Sequence, residues 1–132
     1  MILSADYHTH TPYSHGKNTV LENAFAAKAK DLKQIAITDH GFNHILFGLK
    51  RKKLAALRAE ITEAEKLTGV KVLMGMESNL ISLDGDTDMK ESDLPYFDIF
   101  VCGIHEVLRY KSLADMYKIL INNSSCCWFG GI

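Results

Sequence analysis

The sequence predicts an α/β fold, part of a parallel (β/α) barrel with about four strands. Three observations lead there. Apolar runs of strand length alternate with stretches that repeat at helical spacing. That β-α-β order implies parallel pairing with right-handed crossovers. Four of the runs also end in a side chain that can bind a metal: Ser4 to His10, Gln34 to His40, Val70 to Glu77 and Ile99 to His105. A parallel barrel gathers the carboxyl ends of its strands on one rim. The four ends should therefore converge, and the pattern reads as a metalloenzyme.

The elements follow in order. After the first run comes a polar loop, residues 11–18. Thr19 with Glu22 three residues on makes a capping box. Residues 20–32 then read as a helix, with Val20, Leu21, Ala24, Ala27 and Leu32 on one side. Ile35-Ala36-Ile37 is the second strand. Residues 50–68 form the strongest helix, apolar at Leu54, Leu57, Ile61, Ala64 and Leu67, and Gly69 stops it. The third strand is Val70 to Met74. Asp84-Gly85-Asp86 between short apolar runs signals a β hairpin inserted between barrel units. Glu91 to Phe97 reads as a helical turn limited by Pro95. Ile99 to Cys102 is the fourth strand, and Ser112 to Ile121 a last helix capped by Ser112. The stretch 122–132 has no charge and no period, carries the only Trp and two Cys, and is read as an atypical tail left by truncation or a frame disturbance. Residues 1–121 are the domain.

Composition sets bounds. A chain of 132 residues, 47% hydrophobic and 23% charged, is one ordinary globular domain. The net charge of −1 makes no case for nucleic acid or an anionic membrane. No stretch approaches the roughly 20 apolar residues of a membrane span, and no signal peptide is read. The three cysteines form no CxxC; Cys102 is expected as a buried thiol, and a reducing cytoplasm is the default compartment.

The chemistry sits at the strand ends. His8 and His10 are two apart, so a regular strand points both at one face and one ion. His40 follows a strand, with Asp39 placed to orient a ligand histidine or to act near the reaction. Glu77 ends an apolar run, where a buried carboxylate needs a cationic partner. Its two oxygens can bridge two ions. His105 follows Gly103, which allows close approach. His15 sits in a loop, and alone it carries no signal. His44 has no supporting context and is read as a surface residue, with a place in the pocket as the alternative. Lys17, Arg51 and Arg109 are read as solvated charges that could meet a phosphate. There is no GxSxG, no P-loop and no GxGxxG.

Together these motifs resemble the PHP (polymerase and histidinol phosphatase) family. The residues that carry the resemblance are Asp6-Tyr7-His8-Thr9-His10-Thr11 with Ser14-His15-Gly16, then Ile37-Thr38-Asp39-His40-Gly41, Gly75-Met76-Glu77 and Gly103-Ile104-His105. The span from Ile2 to about Ile121 looks like the N-terminal part of a bacterial PHP phosphoesterase. The resemblance implies about four strands of a distorted (β/α)7 barrel and up to three divalent ions, Zn, Mn or Fe. His8 and His10 would bind one ion, Glu77 would bridge it to a second on His105, and His15 and His40 would hold a third. Asp39 and Glu77 are the implied catalytic residues. The implied reaction is hydrolysis of a small phosphomonoester, as in histidinol phosphatases, by metal-activated water, with substrate-binding residues unassigned. A further His and an Asp-x-His of the family have no counterpart after His105. That departure implies an impaired enzyme, and an open barrel edge through which the chain could self-associate. Two other readings stand beside it: a non-catalytic metal-binding PHP fragment, and a PHP nuclease module of a DNA polymerase.

Overall fold

Ile35-Ala36-Ile37 and Val72-Leu73-Met74 are apolar and rich in β-branched residues, which suits strands covered on both faces. The computed structural model describes residues 3–82, 85–103 and 105. Its strands are β1 (Ala5–Thr9), β2 (Gln34–His40), β3 (Lys71–Asn79) and β4 (Ile99–Gly103), and its longer helices are α1 (Val20–Ala29) and α2 (Leu54–Thr68). The strands lie in the order β1-β2-β3-β4, and every neighbouring pair is parallel. This is the α/β half barrel that the alternation of elements predicts. β3 runs two residues past Glu77.

The helices form where the caps direct them. The Thr19 hydroxyl accepts from the Glu22 amide at 3.2 Å, and the Glu22 carboxylate accepts from the Thr19 amide at 2.7 Å. α1 stops at Ala29, three residues short of expectation, because Asp31 turns into the left-handed region at φ 57°. α2 opens on a 3-10 turn, Arg51–Lys53, and ends at Gly69, whose φ of 74° suits a residue with no Cβ. Leu54, Leu57, Ile61 and Ala64 are buried as expected. Leu67 is not: it is 50% exposed, and Thr68 takes the buried place, its hydroxyl donating to the Ala64 carbonyl at 2.7 Å.

Strand alternation divides the sheet into two faces. Ile35, Ile37, Val72, Met74 and Met76 join Leu57, Ile61 and Ala64 of α2 and Val20, Ala24 and Ala27 of α1 in one apolar core. Thr38, His40, Gly75, Glu77 and Asn79 belong to the other face, the concave side of the half barrel. Gly75 has no side chain there because a Cβ would lie 2.7 Å from the Thr38 methyl and 2.8 Å from the Ile99 methyl.

Among the described residues the inserted hairpin pairs through an antiparallel bridge, Leu80 with Thr87, with Gly85 at φ 94° in its bend. Glu91–Tyr96 is a 3-10 helix containing Pro95. Its Asp93 accepts two hydrogen bonds from Arg51, at 3.0 and 2.7 Å, while the Arg51 guanidinium lies 3.8 Å over the Phe42 ring. Arg51 is therefore committed to a structural pair and is not a free charge. Cys102 is half-buried, not buried, because β4 is the last strand of the described sheet. The helix at Ser112 to Ile121, Asp84, Arg109 and the tail 122–132 lie outside the described residues. Among those residues no helix is long and apolar enough to cross a membrane.

The core depends on the contact of α2 with the sheet. Leu57→Ala should lower unfolding free energy by about 2–5 kcal/mol, and Leu67→Ala by less than about 1 kcal/mol, in a urea titration followed by circular dichroism. Equal losses would contradict this assignment of the buried face.

Candidate metal centre

Strand register puts the central pair together. His40 of β2 lies directly beside Glu77 of β3, and residues paired in neighbouring strands share a face. β1 departs from the regular strand expected of it. Three steps from Asp6 to Thr9 match only two on β2, from Ile35 to Ile37, so β1 carries one extra residue. Such irregularities re-aim side chains. The His8 and His10 rings stand perpendicular at 88°, with centroids 4.9 Å apart. The loop after β1 folds back on the Thr11 carbonyl, which accepts from the amides of Ser14 and Gly16. A Cβ on Gly16 would collide with the His10 carbonyl. This tight return brings the His15 ring to 4.5 Å from His10 and 4.8 Å from His40. Gly103 does the same service at β4, since a Cβ there would collide with the His105 ring.

Glu77 is the hub. Its Oε1 lies 3.1 Å from His105 Nε2 and 3.8 Å from His8 Nε2. Its Oε2 lies 2.8 Å from His40 Nδ1 and 3.6 Å from His10 Nε2. The close pair of His40 Nδ1 and Glu77 Oε2 is not aligned as a hydrogen bond, and both atoms are buried without a hydrogen-bond partner. Two buried polar atoms facing one another without an aligned hydrogen bond are costly. A shared cation relieves that cost, and imidazole with carboxylate suits borderline divalent ions. The donor set therefore fits a metal.

Among the described residues, ligand atoms within 4.8 Å of one another form three overlapping groups: His8, His10 and Glu77; His40, Glu77 and His105; and His10, His15 and His40. The six residues singled out in the sequence are brought into one cluster. The groups overlap more than the resemblance implies, since His10 also stands with His15 and His40, and His40 also stands with Glu77 and His105.

A family profile for the PHP domain matches residues 6–130. The chain belongs to the PHP domain family. It is similar to proteins named probable phosphatases. One from Photobacterium profundum is 34% identical over 124 residues, covering 89% of this chain and 47% of that protein. One from a Thermoanaerobacter strain is 35% identical over 113 residues, covering 81% and 42%. One from Vibrio campbellii is 34% identical over 129 residues, covering 92% and 48%. The chain spans about half the length of the curated relatives it matches.

Two further residues of this PHP chain, Asp39 and His44, flank the cluster. Alternation puts Asp39 on the opposite face of β2 from His40, and its carboxylate is spent on the loop. It accepts from the Thr11 amide at 2.7 Å, the Thr11 hydroxyl at 2.6 Å and the Ser14 hydroxyl at 2.6 Å. Burial pushes its carboxyl up, against the pull of those donors. Asp39 reaches the cluster only at its edge, 3.9 Å from His10 Nδ1. His44, read as a surface residue, instead stacks on His40 at 4.2 Å and 22°. Its position follows from a turn in which its own Nδ1 accepts from the Phe47 amide at 3.1 Å. A lone His in a loop carries no periodicity that could have revealed it.

The electrostatics follow the contacts. Burial pushes the Glu77 carboxyl up, but the contacts of His105 and His40 outweigh it and hold the group well below the carboxylate range. Burial, then the neighbouring His40, lowers His10 to about 4, so at neutral pH its ring is uncharged and its lone pair is free for a cation. The hydrogen bond to Glu77 raises His105.

These shifts have opposite signs. The contribution of His10 to stability is complete above its unfolded value near 6.5 and is lost as pH falls towards about 4. That of His105 is complete below 6.5 and is lost as pH rises through its raised value. In an NMR titration of the metal-free chain, the His105 ring protons should shift at a higher pH than those of His10. The reverse order would contradict the geometry. Glu77→Gln should lower the Mn²⁺ or Zn²⁺ retained after dialysis by at least one ion per chain, read by elemental analysis. Unchanged metal content would remove Glu77 from the centre.

Proposed function

We propose that this chain carries the metal centre of a phosphoesterase that hydrolyses small phosphomonoesters. The observation that supports the reading most is the Glu77 carboxylate, each of whose oxygens faces two imidazoles. Membership of the PHP family and the names of the relatives support the same class of reaction.

The residues that would hold ions are His8, His10, His15, His40, Glu77 and His105. When bound, divalent ions supply Lewis acidity, lowering the pKa of water and neutralising charge on a phosphoryl group. The chain's own groups do the rest. Thr11 and Ser14, clasped by Asp39, fix the loop that presents His15. His44 accepts at Nδ1 from the Phe47 amide, so its neutral ring carries its proton on Nε2. That N–H is a donor at the mouth of the cluster, placed for a phosphoryl oxygen or the leaving group. Ile45, Leu46 and Phe47 are exposed beside it and give the mouth an apolar border. In this reading Asp39 is a positioning residue and Glu77 is the one carboxylate that touches the reacting assembly.

The test is hydrolysis of p-nitrophenyl phosphate with added Mn²⁺ or Zn²⁺. Activity should vanish with a chelator and fall at least about 10²-fold in Glu77→Gln, a loss of roughly 3 kcal/mol of transition-state stabilisation. Turnover by the chain alone should lie far below that of a full-length relative, since the chain spans about half their length. Turnover equal to a full-length relative would overturn that part of the proposal. Cleavage of single-stranded DNA in preference to the monoester would favour the nuclease reading instead.

A further inference from the structure

The His105 ring is held by a chain of hydrogen bonds that none of the four sequence motifs contains. Asp88 lies on the short insertion between β3 and β4, and it is buried, as is Asn79. Four donors converge on its carboxylate. Oδ1 accepts from the Ser78 hydroxyl at 2.8 Å and the Asn79 amide at 2.9 Å. Oδ2 accepts from the Asn79 side-chain nitrogen at 2.6 Å and the Asn43 amide at 2.9 Å. With four donors in place, the carboxylate can only accept.

The consequence runs in one direction. Asp88 forces Asn79 to turn its NH₂ inward, so the carboxamide oxygen faces outward. That oxygen lies 2.8 Å from His105 Nδ1. An amide oxygen has no proton to give, so the ring must donate from Nδ1. The metal-free ring also gives an Nε2 proton to Glu77; once neutral, a ring that donates from Nδ1 keeps its lone pair on Nε2. Nε2 is the atom 3.1 Å from Glu77 Oε1, on the cation side of the cluster.

We propose that Asp88, acting through Asn79, is a positioning residue that fixes the orientation and tautomer of His105. The insertion then has a purpose: it delivers one buried carboxylate to the end of β3. The same carboxylate ties the loop after β2 to the end of β3 through Asn43 and Ser78. Gly41 is required beneath it, because a Cβ there would collide with the Asp88 carboxylate. The inference rests on the metal-centre reading for its purpose, but the relay itself exists without any ion.

The experiment has two readouts on the whole chain. Long-range ¹H–¹⁵N spectra of the metal-free protein, recorded over a pH series, report which His105 nitrogens carry a proton. Wild type should show Nδ1–H. Asn79→Leu, which leaves the Ser78 and Asn43 contacts to Asp88 in place, should move the proton to Nε2. Asp88→Asn should leave a mixture of the two forms. Combining Asp88→Asn with Asn79→Asp restores a donor facing an acceptor between the two positions, and should return the Nδ1–H form. Calorimetric titration with Mn²⁺ is the second readout. Asn79→Leu and Asp88→Asn should each weaken the affinity about ten-fold or more. Glu65→Gln, which weakens the pair with Lys71 at the start of β3, should leave it unchanged.

Nδ1–H retained in both single variants would overturn the proposal. So would equal loss of affinity in Glu65→Gln, which would mark the effect as general destabilisation. Wild type that binds no Mn²⁺ would overturn the metal-centre reading, and the tautomer spectra would still decide the relay.

Discussion

One buried carboxylate, Glu77, organises this half barrel. Its two oxygens face four imidazoles from three segments of chain: His8 and His10 at the end of β1, His40 at the end of β2, and His105 just after β4. Such a group is costly to bury unpaired. Among the described residues the groups near enough to compensate it are histidines, and at neutral pH those that are uncharged offer lone pairs instead of protons. Burial of the acid and burial of the bases therefore make the same demand, for a cation at the centre. The rest of the concave face can be understood as scaffolding for that demand.

The scaffolding uses backbone more than side chains. Parallel register sets His40 beside Glu77 without any special residue. Gly16 and Gly103 remove side chains where the chain must return close to His10 and His105. Two buried aspartates then lock the loops. Asp39 gathers Thr11 and Ser14 behind His10 and His15. Asp88 gathers Ser78, Asn79 and Asn43 behind His105 and the loop after β2. Both carboxylates accept from neutral donors of the loops, so their oxygens are occupied in holding those loops in place.

Much of this was legible in the sequence, for identifiable reasons. Strands with continuous apolar runs, such as Ile35 to Ile37, are buried on both sides and stand out from their surroundings. Thr19 with Glu22 and the terminal Gly69 mark helix ends by local chemistry, and the structure keeps both. The strand-end histidines and Glu77 were conspicuous because parallel topology makes strand ends meet. What was hidden depended on long-range contacts. Leu67 lies on the apolar stripe by spacing, yet the sheet ends before it and leaves it half exposed. Arg51 looked like a free surface charge until Asp93, far along the chain, was brought beside it. His44 and Asp88 sit in irregular segments where no period announces a buried side chain. The extra residue in β1 could not be seen either, because it exists only relative to its partner strand.

The most direct measurement is X-ray diffraction from crystals of the chain grown with Mn²⁺ or Zn²⁺, recorded at the metal's absorption edge. The account predicts anomalous density within about 2.0–2.6 Å of a Glu77 oxygen and of at least two of the surrounding histidine nitrogens. Crystals of the metal-loaded chain with no such density, and with Glu77 hydrogen-bonded to protonated histidines alone, would contradict it.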